Sequence, residues 1–518
     1  MHSETLKPAP TGPRTRDQIG VQQLNRLLAV VSFLFLGTTS SGIHAQSPTE
    51  EKPVEARAKE FARAVSSGDP EEFKRLVADS FDTDMQKIPM PVQIAVLMSY
   101  WDMSRGLDFY ELQGSESDEA VALFRNRLTG GWSAIFFRVE QELPHRIVAV
   151  WPAIAEPPEE PARKRSDRQI ARELGAFMQR LTEADAFSGT VALASNGVTV
   201  FQGAYGQADK NFGVANRIDT KYNLGSMNKM FTAVAIAQLV ERGLLSYDDP
   251  LSKFLPDFPD AESAKKIRIK HLLSHSAGLG MWWGPRYQQS AKDSFRTVDD
   301  MIKWASEDEK QIQFEPGTKF QYSNTGFVVL GKVIEEATGE SYYEYVRKNI
   351  FEPGDMQNTG SDELDRVTPN LAVGYAKTFD ERGEATFRNN IYTRPVRGGP
   401  AGGGYSTVED LVKFERALRS GKLLKPQNVA VLLSSKPEFG AQLYGYGFDV
   451  NEERGTAGHA GGGMGQSNNL DMFLRSGWTA IVLSNYTGIS FEISSPVVSK
   501  MRELVRDRES LQHDTATH

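Results

Sequence analysis

Two periods of apolar residues run along this chain, and the switches between them outline its elements. From 53 to 105 the spacing is helical. Ala58, Phe61, Ala62 and Val65 form one stripe over 53–66, and similar stripes cover 70–81 and 91–105. Runs of strand type follow at 107–112, 120–128, 132–140 and 146–151, separated by Gly114-Ser-Glu-Ser, Thr129-Gly-Gly and Leu143-Pro-His. Those separators are turn formers, so the runs predict an antiparallel meander. Residues 53–154 therefore read as a small α+β accessory domain, and nothing in them suggests catalysis.

Residues 155–167, rich in Pro and charge, have linker composition. A helical stripe of Ile170, Leu174, Phe177, Met178 and Leu181 then covers 168–182, and strands are expected at 189–194 and 198–204 around the hairpin signal Ser195-Asn-Gly. The run over 226–240 is different. Met227, Met230, Phe231, Val234, Ile236, Leu239 and Val240 leave it almost no polar face, which predicts a buried helix. Gly243 and Pro250 lie beyond it as stop signals. After a long helical block, strands are expected at 446–451, 467–473 and 479–484, and a helix at 495–508. Strands at both ends and helices between predict one antiparallel sheet flanked by helices, plus a helical lobe, over 168–510. The cleft between lobes is the place for a site.

Composition narrows the classes. The chain has 518 residues, 40% hydrophobic and 24% charged, which suits two or three globular domains. A net charge of −8 gives no support to nucleic-acid binding. The absence of cysteine excludes disulfides, a thiol nucleophile and thiolate-bound metal. At the N-terminus, Lys7, Arg14, Arg16 and Arg26 precede an apolar run over 27–36 and then Ile43-His-Ala45. That run is too short to span a bilayer and suits a signal-peptide core. Residues 1–45 are thus expected to be cleaved near Ala45, leaving a periplasmic or secreted protein without stable membrane insertion.

Candidate chemistry starts at the buried helix. Ser226 and Lys229 lie three apart in its first turn, where free N–H groups and the helix dipole favour negative charge. Burial would depress the lysine pKa and let it activate the serine. The competing reading is an N-cap serine beside a snorkelling lysine, and a second Ser-x-x-Lys at Ser263–Lys266, in a charged stretch, serves as a decoy. Two further stretches offer partners. Tyr322-Ser-Asn324 precedes a helix expected over 327–337, and of the sixteen tyrosines only Tyr322 is followed two positions later by Asn. A phenol near an ammonium is a candidate base, and an amide can orient a carbonyl. Gly458-His-Ala-Gly-Gly-Gly-Met-Gly465 reads as a glycine loop whose N–H groups could line an oxyanion hole.

In this order, Ser226-x-x-Lys229, Tyr322-x-Asn324 and His459-x-Gly461 resemble the three-motif signature of penicillin-recognising serine hydrolases. The resemblance is to the class C β-lactamase-related branch, with its esterases and D-amino-acid peptidases, and it covers about 187–504. It implies Ser226 as the acylated nucleophile, with Lys229 and Tyr322 sharing acid–base work. It also implies Asn324 on the acyl carbonyl, His459 among the catalytic residues, and an oxyanion hole from the N–H groups of Ser226 and Gly462. Gly461 would line the substrate site, no cofactor or metal is implied, and the partner is a small-molecule or peptide substrate. One departure stands out: His459 replaces a lysine that would grip a carboxylate, and histidine is largely neutral at pH 7. The expectation therefore tilts to an esterase or D-amino-acid peptidase. β-Lactamase or D-Ala-D-Ala carboxypeptidase action is the runner-up, and a catalytically silent binding module is the reading from another class. Trp282 and Trp283 are candidates for apolar substrate contact at the cleft mouth, with lobe packing as the alternative. His271 and His275 have helical zinc-site spacing but lack a third ligand. The N-terminal unit is similar only at fold level to the ketosteroid-isomerase cone.

Overall fold

The computed structural model describes residues 51–515, apart from 115, 154, 156–157, 159–160, 309–311 and 489–493. The targeting segment expected at 1–45 lies outside the described residues. No helix among the described residues is long and apolar enough to cross a membrane. The chain divides into two units, one running to Pro158 and taking in Phe379–Ala385, the other Glu159–Thr378 with Thr386–His518.

In the first unit, α1 (Pro53–Ser67) starts on a proline, buries the stripe of Ala58, Phe61, Ala62 and Val65, and stops at Gly68 in the left-handed region. Helix α2 (Pro70–Ser80) follows, capped by the Asp69 carboxylate on the Glu71 N–H, and then α3 (Met90–Ser104). Strands β1 (Leu107–Gln113), β2 (Glu119–Asn126), β3 (Trp132–Val139) and β4 (Ile147–Pro152) form the meander in sequence order, each pair antiparallel. Phe61 meets Phe137 of β3 edge-on at 5.3 Å, so α1 packs on the sheet.

The second unit opens with α4 (Asp167–Glu183), whose Ser166 and Gln169 make a capping box. Ahead of it, Arg165 is buried between Glu173, Glu503 and Asp507, which ties this segment to the C-terminal helix α8 (Ser495–Thr515). A six-stranded antiparallel sheet is built from β5 (Gly189–Ser195), β6 (Val198–Tyr205), β7 (Asp449–Asn451), β8 (Thr456–Gly463), β9 (Gln466–Phe473) and β10 (Trp478–Ser484). Its order is β7-β8-β9-β10-β5-β6. Strand β10 is buried along its whole length, so both faces of the sheet are covered there. The sheet and the helices packed on it make up the expected mixed architecture.

Beside the sheet lies a helical region centred on α5 (Asn228–Glu241), buried on all sides from Asn228 to Leu239. Helix α6 (Asn324–Thr338) packs on it, and α7 (Val408–Arg419) lies against β5 and β10. Two expectations need correction. The glycine stretch around His459 is strand β8, not a loop, because its backbone pairs with β9 from Thr456↔Phe473 to Gly463↔Gln466. Its glycines break the side-chain alternation that marks a strand. At Gly461 a Cβ would lie 2.0 Å from the Leu224 carbonyl oxygen, so only glycine fits. Helix α6 also begins at Asn324 instead of 327, because the Ser323 hydroxyl accepts the Gly326 N–H and caps it.

Candidate active site

Ser226 sits in a single 3-10 turn, Gly225–Met227, immediately before α5. The turn is held from both sides. The Leu224 N–H donates to Gly404 O (2.7 Å) and the Gly403 N–H to Gly225 O (3.2 Å). On the sheet side, Asn468 Nδ2 donates to Asn223 O (2.8 Å). Gly225 has φ +54°, and a Cβ there would meet Gly461 C at 3.1 Å and Gly462 N at 3.2 Å. This close approach presses the turn onto β8 and leaves Ser226 half-buried, while Lys229 one turn on is fully buried.

Lys229 Nζ lies 2.7 Å from Asn324 Oδ1, 2.5 Å from Ala401 O and 3.1 Å from Ser226 Oγ. Burial pushes the lysine pKa well below its ordinary value, and the Asp449 carboxylate opposes this only in part. A neutral amine has two N–H groups and one lone pair. Asn324 Oδ1 and Ala401 O can only accept, so they take the two N–H groups. In that neutral form, which burial favours, the lone pair is left facing the Ser226 hydroxyl. An amine held in this way can take a proton from that one oxygen.

Tyr322 and Asn324 flank the cap of α6. The Tyr322 ring lies 4.9 Å from Lys229 Nζ. Burial raises the phenol pKa, outweighing the lowering influence of the neighbouring Ser226. The expectation of a phenolate favoured by a neighbouring ammonium is therefore corrected. In this dry site desolvation disfavours the charged form of either group. Asn324 Nδ2 points away from Lys229, 3.5 Å from the Met281 sulfur.

His275 clasps the Tyr322 segment on both sides. Its carbonyl accepts the Gln321 N–H (2.8 Å), its Nδ1 accepts the Ser323 N–H (3.0 Å), and its ring lies 4.1 Å from that of Tyr322. It holds this pose at φ +57°. The spacing of His271 and His275 resembles a metal site, but the family resemblance implies a structural role for both. The pairing of His275 with residues 46 to 48 positions away has no local signal.

On β8, His459 is buried with both ring nitrogens engaged. Nδ1 meets Ala460 O at 2.5 Å; a carbonyl can only accept, so Nδ1 carries the proton, and Nε2 accepts the Tyr444 hydroxyl at 2.9 Å. Burial lowers the His459 pKa below its usual value. The ring is a neutral packing element, with no nitrogen left over for substrate. Gly463 and Gln466 close the β8–β9 hairpin, and alternate residues point their N–H groups to opposite edges. Ala460 gives its N–H to Asp449 Oδ2 (3.1 Å) on the β7 side, so Gly462, two residues on, points the same way. Strand β7 pairs only with Thr456–Gly458, and a Cβ on Gly462 would meet nothing within 4 Å. The Gly462 N–H thus faces an open edge beside the Ser226 turn.

The remaining candidates separate from this group. Trp282 is 2% exposed and packs edge-on against Trp283 (5.4 Å), Tyr287 (5.2 Å) and Phe295 (5.4 Å). Trp282 belongs to the core of the helical region, where it has no surface for a substrate, while Trp283 is half-buried against it. Ser263 and Lys266 lie on the short helix Ala261–Lys266, where Ser263 is tied to its Asp260 cap. Among the described residues no three or more His, Asp or Glu side chains are arranged to hold a metal ion. The sequence reading also missed Ala401, Tyr444 and Asp449. The first acts through a backbone carbonyl, which any residue carries, and the others through contacts across the sheet.

Comparison with known proteins points the same way. A family model described as Beta-lactamase matches residues 169–493. A penicillin-binding protein of Bacillus subtilis (strain 168) is 31% identical over 297 residues, 57% of this chain and 70% of its own. The teichoic acid D-alanine hydrolase of Staphylococcus aureus is 30% identical over 267 residues, 52% of this chain and 62% of its own. The crystal structure of a penicillin-binding protein from Bacillus halodurans superposes with a TM-score of 0.54 at 25% identity, covering 65% of this chain and 99% of that one.

Proposed function

From its membership of the β-lactamase family, as a serine hydrolase, we propose that this chain cleaves esters or amides through an acyl-enzyme on Ser226. In the first step Ser226 Oγ attacks the substrate carbonyl carbon and its proton passes to the Lys229 amine. The carbonyl oxygen becomes an oxyanion between the N–H groups of Ser226 and Gly462, donors of the kind worth about 3 kcal/mol each. Collapse of the tetrahedral centre breaks the bond to the leaving group, which takes a proton relayed from Lys229 through Tyr322. Water then attacks the acyl carbon, giving its proton to the same base, and the acid departs with Ser226 restored.

One observation carries this reading. Lys229 Nζ has carbonyl acceptors for both N–H groups at 2.7 and 2.5 Å and Ser226 Oγ at 3.1 Å. Asn324 Nδ2 would hold the acyl side of the substrate. The neutral, internally bonded His459 favours an esterase or D-amino-acid-peptidase type of substrate over one gripped by its carboxylate. The name of the staphylococcal relative, a D-alanine hydrolase, fits a substrate carrying D-alanine. Export, directed by residues 1–45, and an accessory role for 53–154 belong to the same proposal. The test is labelling with a serine-directed phosphonate, read by peptide mass. Adduct on Ser226, lost in Ser226→Ala, is expected; adduct that persists in the variant contradicts the mechanism.

A further inference from the structure

The free edge of β8 carries a second polar feature besides the Gly462 N–H. Asp449, the first residue of β7, folds its carboxylate over that edge and accepts the Ala460 N–H at 3.1 Å. Ala460 and Gly462 point the same way, so the carboxylate lies roughly 7 Å along the strand from the Gly462 N–H. Its side chain is 52% exposed, and Oδ2 is 3.8 Å from His459 Nδ1, a nitrogen already engaged with Ala460 O. Among the described residues Asp449 is the one carboxylate whose field acts on Lys229, Tyr322, Tyr444 and His459.

The position matters as much as the charge. Tyr322 delivers the proton to the leaving group, and the His459 ring is 6.3 Å from that of Tyr322. Asp449 therefore stands at the leaving-group end of the cleft. We infer that Asp449 is a specificity-determining residue, which turns away substrates whose leaving group carries a carboxylate and favours those whose leaving group carries a cation. The inference rests on the acyl-enzyme reading above and adds the charge of the group released. A leaving-group carboxylate meets a His459 ring bonded at both nitrogens, and among the described residues Asp449 is the carboxylate that faces it, with a charge of its own sign. At this distance and exposure the effect is moderate, about tenfold in kcat/KM.

The test uses three substrates that share one acyl group. Their leaving groups are a neutral alcohol, an alcohol bearing a carboxylate and an alcohol bearing a quaternary ammonium. For the full chain the expected order of kcat/KM is ammonium, neutral, carboxylate. Asp449→Asn keeps an acceptor for the Ala460 N–H and removes the charge, so the carboxylate-to-ammonium ratio should rise about a hundredfold. Asp449→Lys should reverse the order. Raising salt on the unmodified protein should narrow the spread, which needs no variant. A ratio that is the same in Asp449→Asn and insensitive to salt overturns the inference. Hydrolysis of the neutral ester, lost in Ser226→Ala, reports separately on the acyl-enzyme reading, so the two can fail independently.

Discussion

Ser-x-x-Lys stands twice in the second unit, and the two copies share little beyond spacing. At Ser226–Lys229 the lysine is 0% exposed and its nitrogen lies between two carbonyl oxygens and a hydroxyl. At Ser263–Lys266 the lysine side chain is 55% exposed and pairs with Glu315 at 3.1 Å, while the serine bonds to Asp260. The first serine is in a 3-10 turn pressed against a strand edge, and the second is inside a six-residue surface helix. Three-residue spacing puts a hydroxyl and an amine on one helical face in both cases. What distinguishes a base from a solvated cation is the removal of water and of acid partners, which the local sequence does not specify.

The largest break in this comparison comes from deleting the hydroxyls. Ser226→Ala should lower ester hydrolysis on the order of a millionfold, the scale for loss of a serine nucleophile. Ser263→Ala should leave kcat/KM in place and cost about 1 kcal/mol of stability in a denaturant melt, for its bond to Asp260. The next largest concerns the lysines. Arginine cannot give up its proton in a protein, so Lys229→Arg should reduce kcat about a thousandfold, while Lys266→Arg should leave it unaltered.

A smaller effect tests the wall behind the nucleophile. Gly461→Ala drives a Cβ into the Leu224 carbonyl, displacing the turn that carries Ser226; about 1–3 kcal/mol of stability and much of the activity should go together. At Gly462 the same substitution meets open space, and thermal melting should stay where it was. Equal melting loss at both positions would show that the close packing of turn and strand is wrong.

Much of this site is legible in the sequence, for a physical reason. Ser226, Lys229, Tyr322 and Asn324 have proposed roles that need side chains few other residues can replace, and the run after Ser226 is so apolar that burial follows. The sheet strands with alternating or wholly apolar residues, such as β5 and β10, are legible in the same way. Strand β8 is not, because four of its eight residues are glycine and glycine leaves no pattern of faces. Ala401 contributes only a carbonyl, and His275, Tyr444 and Asp449 reach the site through pairings set by the fold. Trp282 shows the opposite failure, since an aromatic beside a site has the same composition signal whether it lines a cleft or fills a core. For Tyr322 the spacing says nothing of electrostatics: burial disfavours both the phenolate and the charge on its lysine neighbour.

The central claim is that Lys229 is an uncharged base in the resting enzyme. With its pKa depressed by burial, protonation at low pH should switch the nucleophile off, and deprotonation should restore it well below the usual lysine range. The direct measurement is the rate of phosphonate labelling at Ser226 across pH, followed by intact mass. The account predicts a rate that climbs through one step lying well below pH 10.5 and then stays level, with the step absent in Lys229→Arg. A rate that climbs only near pH 10.5, or a step that survives in Lys229→Arg, would contradict it.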